Sequence, residues 1–596
     1  MRHLAHILLV LCIVTAFAAG PHAEASEKWT VASVSFEGNH SITEKELKGL
    51  LVIRPSRFLY PSPYHPTVLE NDIKSVERFY KRQGYLQAAV DGYDVDMDST
   101  SNEVRIRIRI SEGALTRVER ITVFGNRAFP DDLLLEKTAV RAGDALKAKS
   151  IDSAVTGIMT MYADRGYIEA EVRPDIQTNP ETNLAIVDLL IKESDQFRIA
   201  DVRIDTLRKT KKSVVLRELS LKPGDVIKYS EILRSQRRLY MTGLFQSVFI
   251  RPQVPSSGDS ATKDILIEVV EQQSMEFTAG IGYGTEERLR GSTEISNSNI
   301  AGTAMKAGVV CEASLIRRGV EMSFTEPRTL GSRVRSDLNM SYAYLDEPGY
   351  ELERKAAKIS LGRALRERSR ASLGFKYTDD NLVQVDVAEV PEDLRANLRS
   401  LGLSLIHDTR NVLSNPTSGI YLELNGELTG VIFGGTNSFA RSSFQMRYFR
   451  CLTSTTTLAS AFEAGWMDRL RGTEEIPLGE RFYAGGPNSL RGFRYQHAGP
   501  LDRRGTPVGG LFKSVLNLVE VRQDVYRMIG LVLFVDIGNV WYHIQSFHPR
   551  DYRISVGTGL RINTPIGILR GDLGVNLDPR NGEPGTRFHF SVGQAF

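Results

Sequence analysis

The stretch Gly479-Glu480-Arg481-Phe482-Tyr483-Ala484-Gly485-Gly486-Pro487-Asn488-Ser489-Leu490-Arg491-Gly492-Phe493-Arg494 decides how the chain is read. Paired glycines, a proline and an asparagine mark a long loop, yet it carries aromatics and three arginines. The segments on either side read as amphipathic strands. A short Arg-Gly-Phe run also arises by chance, so its meaning depends on what surrounds it.

At 596 residues the chain exceeds one ordinary compact domain. It is 25% charged with a formal net charge of +3, which points to no polyanionic partner. Fifty glycines and 21 tyrosines suit many turns and strands. Arg2 and His3 precede an apolar run from Leu4 to Ala19, and Ala23-Glu24-Ala25 is a small-x-small site. Residues 1–25 are therefore expected to be a secretory leader cut after Ala25, with Ala18-Ala19-Gly20 as the alternative site. No later stretch approaches the ~18 uninterrupted apolar residues of a spanning helix. An exported chain of this kind is soluble in the periplasm, secreted, or a β-barrel. Cys12 leaves with the leader, and Cys311 and Cys451 read as isolated small side chains in strands, with a disulfide left open. No Cys or His cluster has metal-ligand spacing.

The N-terminal half repeats. Arg82-Gln83-Gly84-Tyr85-Leu86, Asp164-Arg165-Gly166-Tyr167-Ile168 and Met241-Thr242-Gly243-Leu244-Phe245 end three similar units, with the glycines 82 and 77 residues apart. Before the first two glycines, Leu69, Ile73, Val76 and Tyr80, then Ile151, Val155, Ile158 and Tyr162, mark one apolar helical face. The third unit keeps Ile232 and Leu239. Each glycine suits a left-handed helix terminus. Thr43 with Glu46, and Thr67 with Glu70, read as capping boxes. Ile106, Ile108 and Ile110 alternate with Arg105, Arg107 and Arg109, a half-buried strand with a basic outer face. Each unit reads β-α-α-β-β. This resembles three polypeptide-transport-associated (POTRA) modules at residues 28–113, 114–194 and 195–272. The resemblance implies a sheet edge that captures extended chains through backbone pairing. Arg208-Lys209-Thr210-Lys211-Lys212 reads as a solvated loop.

From Met275 to Phe596 the text is strand-like, punctuated by Gly, Asn, Pro and Asp. At roughly 20 residues per strand and loop, this length makes about 16 strands, and a sheet spanning lipid has to close. Phe588, Phe590, Val592, Gln594 and Phe596 share one face of the final strand. Ordered pieces include Gly280-Ile281-Gly282-Tyr283, Asn297-Ser298-Asn299-Ile300-Ala301-Gly302, Phe324-Thr325-Glu326-Pro327-Arg328, Phe534-Val535-Asp536-Ile537-Gly538 and Leu569-Arg570-Gly571-Asp572. With Leu490-Arg491-Gly492-Phe493, this series resembles the BamA/TamA superfamily of outer-membrane assembly factors over nearly the whole mature chain. The fold expected is thus α+β repeats followed by an all-β transmembrane barrel at residues 275–596. Three modules most resemble the TamA branch, since the BamA branch typically carries five.

In that family the loop folds back into the barrel and its arginine meets acidic residues on the wall. Strand parity supplies the partners. Leu533, Val535 and Ile537 share one face, so Phe534, Asp536 and Gly538 take the other, and Glu520 shares its face with Arg522. A carboxylate facing lipid is costly, so Asp536 and Glu520 belong inside. Arg491 is expected to pair with them, Gly492 to let the backbone turn close to the wall, and Phe493 to wedge the apex. The match to the family is direct for Arg491 and Asp536 and looser for Glu520. A second expected site is the lateral seam between first and last strands, at Gly280, Gly282, Gly284, Phe590, Val592 and Phe596.

No P-loop, nucleophile elbow or metal constellation is present, so the chain is expected to be no enzyme and to need no cofactor. The resemblance implies a TamA-like factor inserting β-barrel or autotransporter-type clients in the outer membrane, with its modules in the periplasm. Its implied partners are unfolded outer-membrane proteins, outer-membrane lipid and a periplasmic or inner-membrane-anchored, TamB-like bridge protein; nucleic acid is not among them. General BamA-type assembly, phospholipid transport with an envelope-spanning partner, and a two-partner secretion pore stay open as alternatives.

Overall fold

The computed structural model describes residues 29–56, 62–255, 261–389, 393–526, 528–564, 567–580 and 582–592. The expected leader and Phe596 lie outside the described residues. The chain divides into two units, one of Met1–Arg203 with Ser220–Ser235 and Ile250–Leu266, the other of Ile204–Leu219 with Gln236–Phe249 and Ile267–Phe596.

The repeats fold as β-α-α-β-β. In the first, strands Thr30–Glu37, Ala89–Asp98 and Glu103–Ser111 accompany helices Glu44–Leu50 and Pro66–Arg82. The last strand lies in the middle of the sheet, parallel to the first and antiparallel to the second. The other two repeats have the same strand order. Leu69, Val76 and Tyr80 pack on Val104, Ile106 and Ile108, as Ile151, Ile158 and Tyr162 pack on Ala185, Val187 and Leu189. Gly84 and Gly166 take φ of 103° and 95°, a left-handed conformation that glycine adopts without a Cβ penalty. Their carbonyls accept the N–H of Thr116 and of Phe197, each at 2.9 Å. The repeating glycine therefore ends one module's helix and ties on the next module.

Each module also closes on a carboxylate at the end of its central strand. Glu112 accepts the Ser41 N–H at 3.0 Å, and Glu193 accepts those of Arg127 and Ala128 at 2.7 and 2.8 Å. Glu271 accepts those of Thr210 and Lys209 at 2.7 and 3.0 Å. The Tyr80 and Tyr162 hydroxyls donate to Glu112 and Glu193 at 2.9 and 2.7 Å. Burial pushes these three carboxyls up, but the convergent donors outweigh it and hold all three below the ordinary carboxylate range.

One expectation is corrected. The Thr43–Glu46 capping box forms, but Thr67–Glu70 does not. Helix Pro66–Arg82 begins on the proline, which presets φ and has no N–H to satisfy, so no side-chain cap is made. In Arg208–Lys212 the four basic residues are exposed, while Thr210 is buried and the backbone is anchored. Besides the Glu271 bonds, the Lys211 N–H donates to the Gly302 carbonyl and the Asn299 amide donates to the Thr210 hydroxyl, both at 2.9 Å. Beside them Arg328 clasps Glu218 bidentately. The two turn motifs singled out in the sequence, around Asn299 and Arg328, thus hold the Ile204–Leu219 segment.

From Met275–Gly284 to Thr586–Val592, 16 strands close into an antiparallel barrel. Its alternation is visible on the strand Ile529–Trp541, where Leu531 and Leu533 are 46% and 62% exposed while Phe534 and Asp536 are 2% and 0%. Ile281, Leu289, Met322 and Leu361 likewise point outward. Exposed large apolar side chains repeated around a closed sheet make the surface a bilayer covers. Among the described residues no helix is long and apolar enough to cross a membrane. Cys311 and Cys451 are exposed and unpaired.

Candidate functional site

The segment between strands Thr456–Arg469 and Phe512–Tyr526 folds into the barrel and buries Leu490, Arg491 and Phe493. Its backbone makes this possible at two glycines. Gly485 has φ of 108°, and a Cβ there would lie 2.3 Å from the Arg494 carbonyl. A Cβ on Gly492 would lie 2.5 Å from the Ser555 Cβ. The Gly492 N–H donates to the Ser555 hydroxyl at 3.2 Å, holding the loop backbone against the wall.

Arg491 is 1% exposed, and its partners Glu520 and Asp536 are 0% exposed. Its Nε and Nη2 donate to Asp536 Oδ2 and Oδ1 at 2.9 and 2.7 Å, and Nη1 donates to Glu520. The Arg491 backbone N–H adds a bond to Asp536 at 3.1 Å. The planar guanidinium matches the carboxylate fork, and it stacks 3.5 Å from the centroid of the Phe534 ring. That ring lies over Gly557, where a Cβ would come within 2.3 Å of it. The structure brings together Arg491, expected from the resemblance, and Glu520 and Asp536, the carboxylates that strand parity turns inward. Phe493 packs with Leu490, Phe482 and Val515 and sits beneath the Arg553 guanidinium, 4.5 Å from its ring centroid.

Other anchors escaped the sequence reading. Asn517 donates to Asp536 at 2.9 Å and to the Ser489 carbonyl at 2.8 Å. A register shift between Asn517 and Val519 turns both Asn517 and Glu520 inward and leaves Leu518 outside. Arg570 binds the Pro487 carbonyl, Asn488 and Asp572, and Asp572 also accepts Arg561 at 2.6 Å. Glu480 holds the loop's other end, pairing with Arg354 at 2.8 Å and Arg441 at 3.1 Å. Strict alternation in Leu569-Arg570-Gly571-Asp572 was a signal available for Arg570 and Asp572. At its centre all three Arg491 guanidinium nitrogens are engaged by the protein's own carboxylates, which fits the arrangement to hold a loop rather than to transform a substrate.

The seam is built differently. Strand Met275–Gly284 pairs along its whole length with Arg288–Ile300. With Thr586–Val592 on its other side, the ladder pair among the described residues is Gly284 with Ser591. Beside it the Thr285 N–H donates to the Phe590 carbonyl at 2.9 Å, and the Phe590 N–H to the Thr285 hydroxyl at 2.6 Å. Gly280 and Gly282 take no left-handed φ, and Cβ atoms on them would meet only the Ser292 hydroxyl at 3.0 Å and the Arg290 guanidinium at 3.5 Å. Phe590 and Val592 line a cavity of about 590 Å³ with Tyr283, Glu286 and Tyr495, between seam and loop.

Residues 299–596 match the Omp85 superfamily domain, and residues 29–113, 116–194 and 197–272 match the surface antigen variable number repeat, POTRA. The chain is 26% identical to the outer membrane protein assembly factor BamA of Nitratidesulfovibrio vulgaris, covering 96% of this chain and 74% of that protein. It is 22% identical to the factor of the same name from Neisseria meningitidis, covering 95% of this chain and 78% of that one. The crystal structure of BamA from Haemophilus ducreyi lacking POTRA domains 1–3 superposes with a TM-score of 0.68 at 21% identity, over 81% of this chain and all of that one. That likeness is one of fold.

Proposed function

We propose the function from the premise that this chain belongs to the Omp85 superfamily. It is an outer-membrane β-barrel with POTRA modules in the periplasm, and it acts as an outer-membrane protein assembly factor, without enzymatic chemistry. Clients are unfolded outer-membrane proteins, which add to module edges such as Ala89–Asp98 by backbone pairing and are passed to the barrel. The observation that carries the reading is a closed 16-strand barrel holding an inward-folded, arginine-anchored loop in the same chain as three POTRA modules. The first barrel strand, Met275–Gly284, carries three glycines that weaken a strand interior, and on parting from the last strand it would offer N–H and C=O groups to a client strand. Client strands then exchange this temporary pairing for their own closed barrel, which lipid demands.

Module count favours a specialised TamA-like role with a bridge protein. The names of relatives that align over almost the whole chain favour the general BamA role. Quantitative proteomics of the outer membrane after depletion separates these. Broad loss of β-barrel proteins marks the general factor, and loss of a few complex barrels in viable cells marks the specialised one. An unchanged set of barrels overturns assembly and leaves secretion or lipid transport.

A further inference from the structure

His589 belongs to the last described strand, is 2% exposed, and has no place in the lock or in the seam as expected from sequence. Its two ring nitrogens face different parts of the machine. Nε2 lies 2.9 Å from the Arg491 carbonyl, and Nδ1 lies 3.6 Å from Glu286 in the turn that follows the first strand. A carbonyl only accepts, so Nε2 carries a proton and donates it. The remaining nitrogen then has two states. Neutral, it points a lone pair at the Glu286 carboxylate; protonated, it makes an ion pair across the seam.

The neighbours are consistent with either state being reached. Asp572, opposite His589 on the adjoining strand, is occupied by Arg561 and Arg570. Arg288 on the second strand and Arg587 on the last face Glu286, and Arg494 of the loop faces Arg587. Glu286 therefore keeps cationic neighbours when the imidazole is neutral, and loss of one proton strands no carboxylate.

We infer that His589 is a positioning residue that ties the Arg491 loop to the first-strand turn and latches the lateral seam when its imidazole is protonated. This rests on the proposed seam. The latch lies beside the Thr285–Phe590 bonds and the Gly284–Ser591 pair that join the first and last strands. Its release leaves the Arg491 carboxylate clasp untouched, since that clasp uses the side chain and His589 uses the carbonyl.

The test uses the full-length protein in bilayers, carrying spin labels at F277C and F588C in a C311S/C451S background. Phe277 and Phe588 both point outward on the two seam strands. Distance distributions are recorded with and without an unfolded client barrel between pH 5.5 and 8.5. The open population should rise about two- to fivefold from pH 5.5 to 8.5, the factor expected of an ion pair of this kind. His589→Gln keeps an N–H for the Arg491 carbonyl but carries no charge, and Glu286→Gln removes the partner at an accessible turn. Both should flatten the pH profile. An open population that ignores pH, or a pH profile that survives Glu286→Gln, overturns the latch and leaves the seam standing. A single closed distance at every pH, with client present, overturns the seam reading and the latch with it.

Discussion

The loop lock and the lateral seam occupy neighbouring parts of one barrel and are built on opposite principles. In the lock, a fully buried arginine meets two fully buried carboxylates, an aromatic face and a backbone contact that only glycine fits. In the seam, the first strand is paired along its length with the second, and among the described residues it meets the last strand at Gly284 and Ser591, with the Thr285–Phe590 bonds beside them. A closed sheet in lipid has to satisfy its backbone, so an edge that opens needs a neighbouring region that does not. In the proposed mechanism the lock supplies this fixed region by joining the loop to the strands Phe512–Tyr526 and Ile529–Trp541, the fifth- and fourth-last of the barrel. His589 touches both.

The contrast is broken most severely at Arg491. Arg491→Ala leaves Glu520 and Asp536 buried without their cation, at a cost of about 3–5 kcal/mol. The barrel should lose its heat-modifiable mobility in gels, and client assembly should fall with it; an unaltered barrel would mean that the loop is not locked. The same small substitution on both sides sharpens the contrast. Gly492→Ala forces a Cβ to 2.5 Å from Ser555 and should cost about 1–3 kcal/mol by overpacking. Gly282→Ala meets only the far end of Arg290 at 3.5 Å and should leave stability within about 1 kcal/mol of the parent. Thermal unfolding of the two variants in detergent gives the comparison directly, and equal effects would remove the distinction.

Smaller effects are expected in the modules. Glu112→Ala removes the partner of the fully buried Tyr80, which should destabilise the first module by about 1–3 kcal/mol. Because Glu112, Glu193 and Glu271 have depressed carboxyl pKa values when folded, their contribution is present above the ordinary glutamate range near pH 4.3 and is lost as pH falls through the folded values. Amide exchange at Ser41, Arg127 and Ala128, corrected for intrinsic pH dependence, should accelerate at acid pH with the barrel unaffected.

These regions differed in how far their sequence disclosed them. Period-two alternation placed Asp536 and Glu520 inside the barrel, because lipid enforces the pattern on every strand. It failed at Asn517, where the bulge at Leu518 inserts one residue and resets the parity. Helical spacing and the repeating glycines gave the modules, whereas the start of the second helix was missed because Pro66 replaces a side-chain cap. The grip of Lys209–Lys211 on the turn at Gly302 was invisible because it depends on residues about ninety positions apart meeting through backbone atoms. His589 escaped for a related reason, since the Arg491 carbonyl and the Glu286 carboxylate that it faces are both remote from it in the sequence.

The most direct test of the account is a cross-link between the first and last strands. G284C and S591C, facing each other across the first and last strands, are introduced with C311S and C451S, and insertion of newly made barrel proteins is followed with the disulfide formed and then reduced. The account predicts that the oxidised protein keeps its folded barrel but fails to insert clients, and that reduction restores insertion. Equal insertion in the oxidised and reduced states would contradict it.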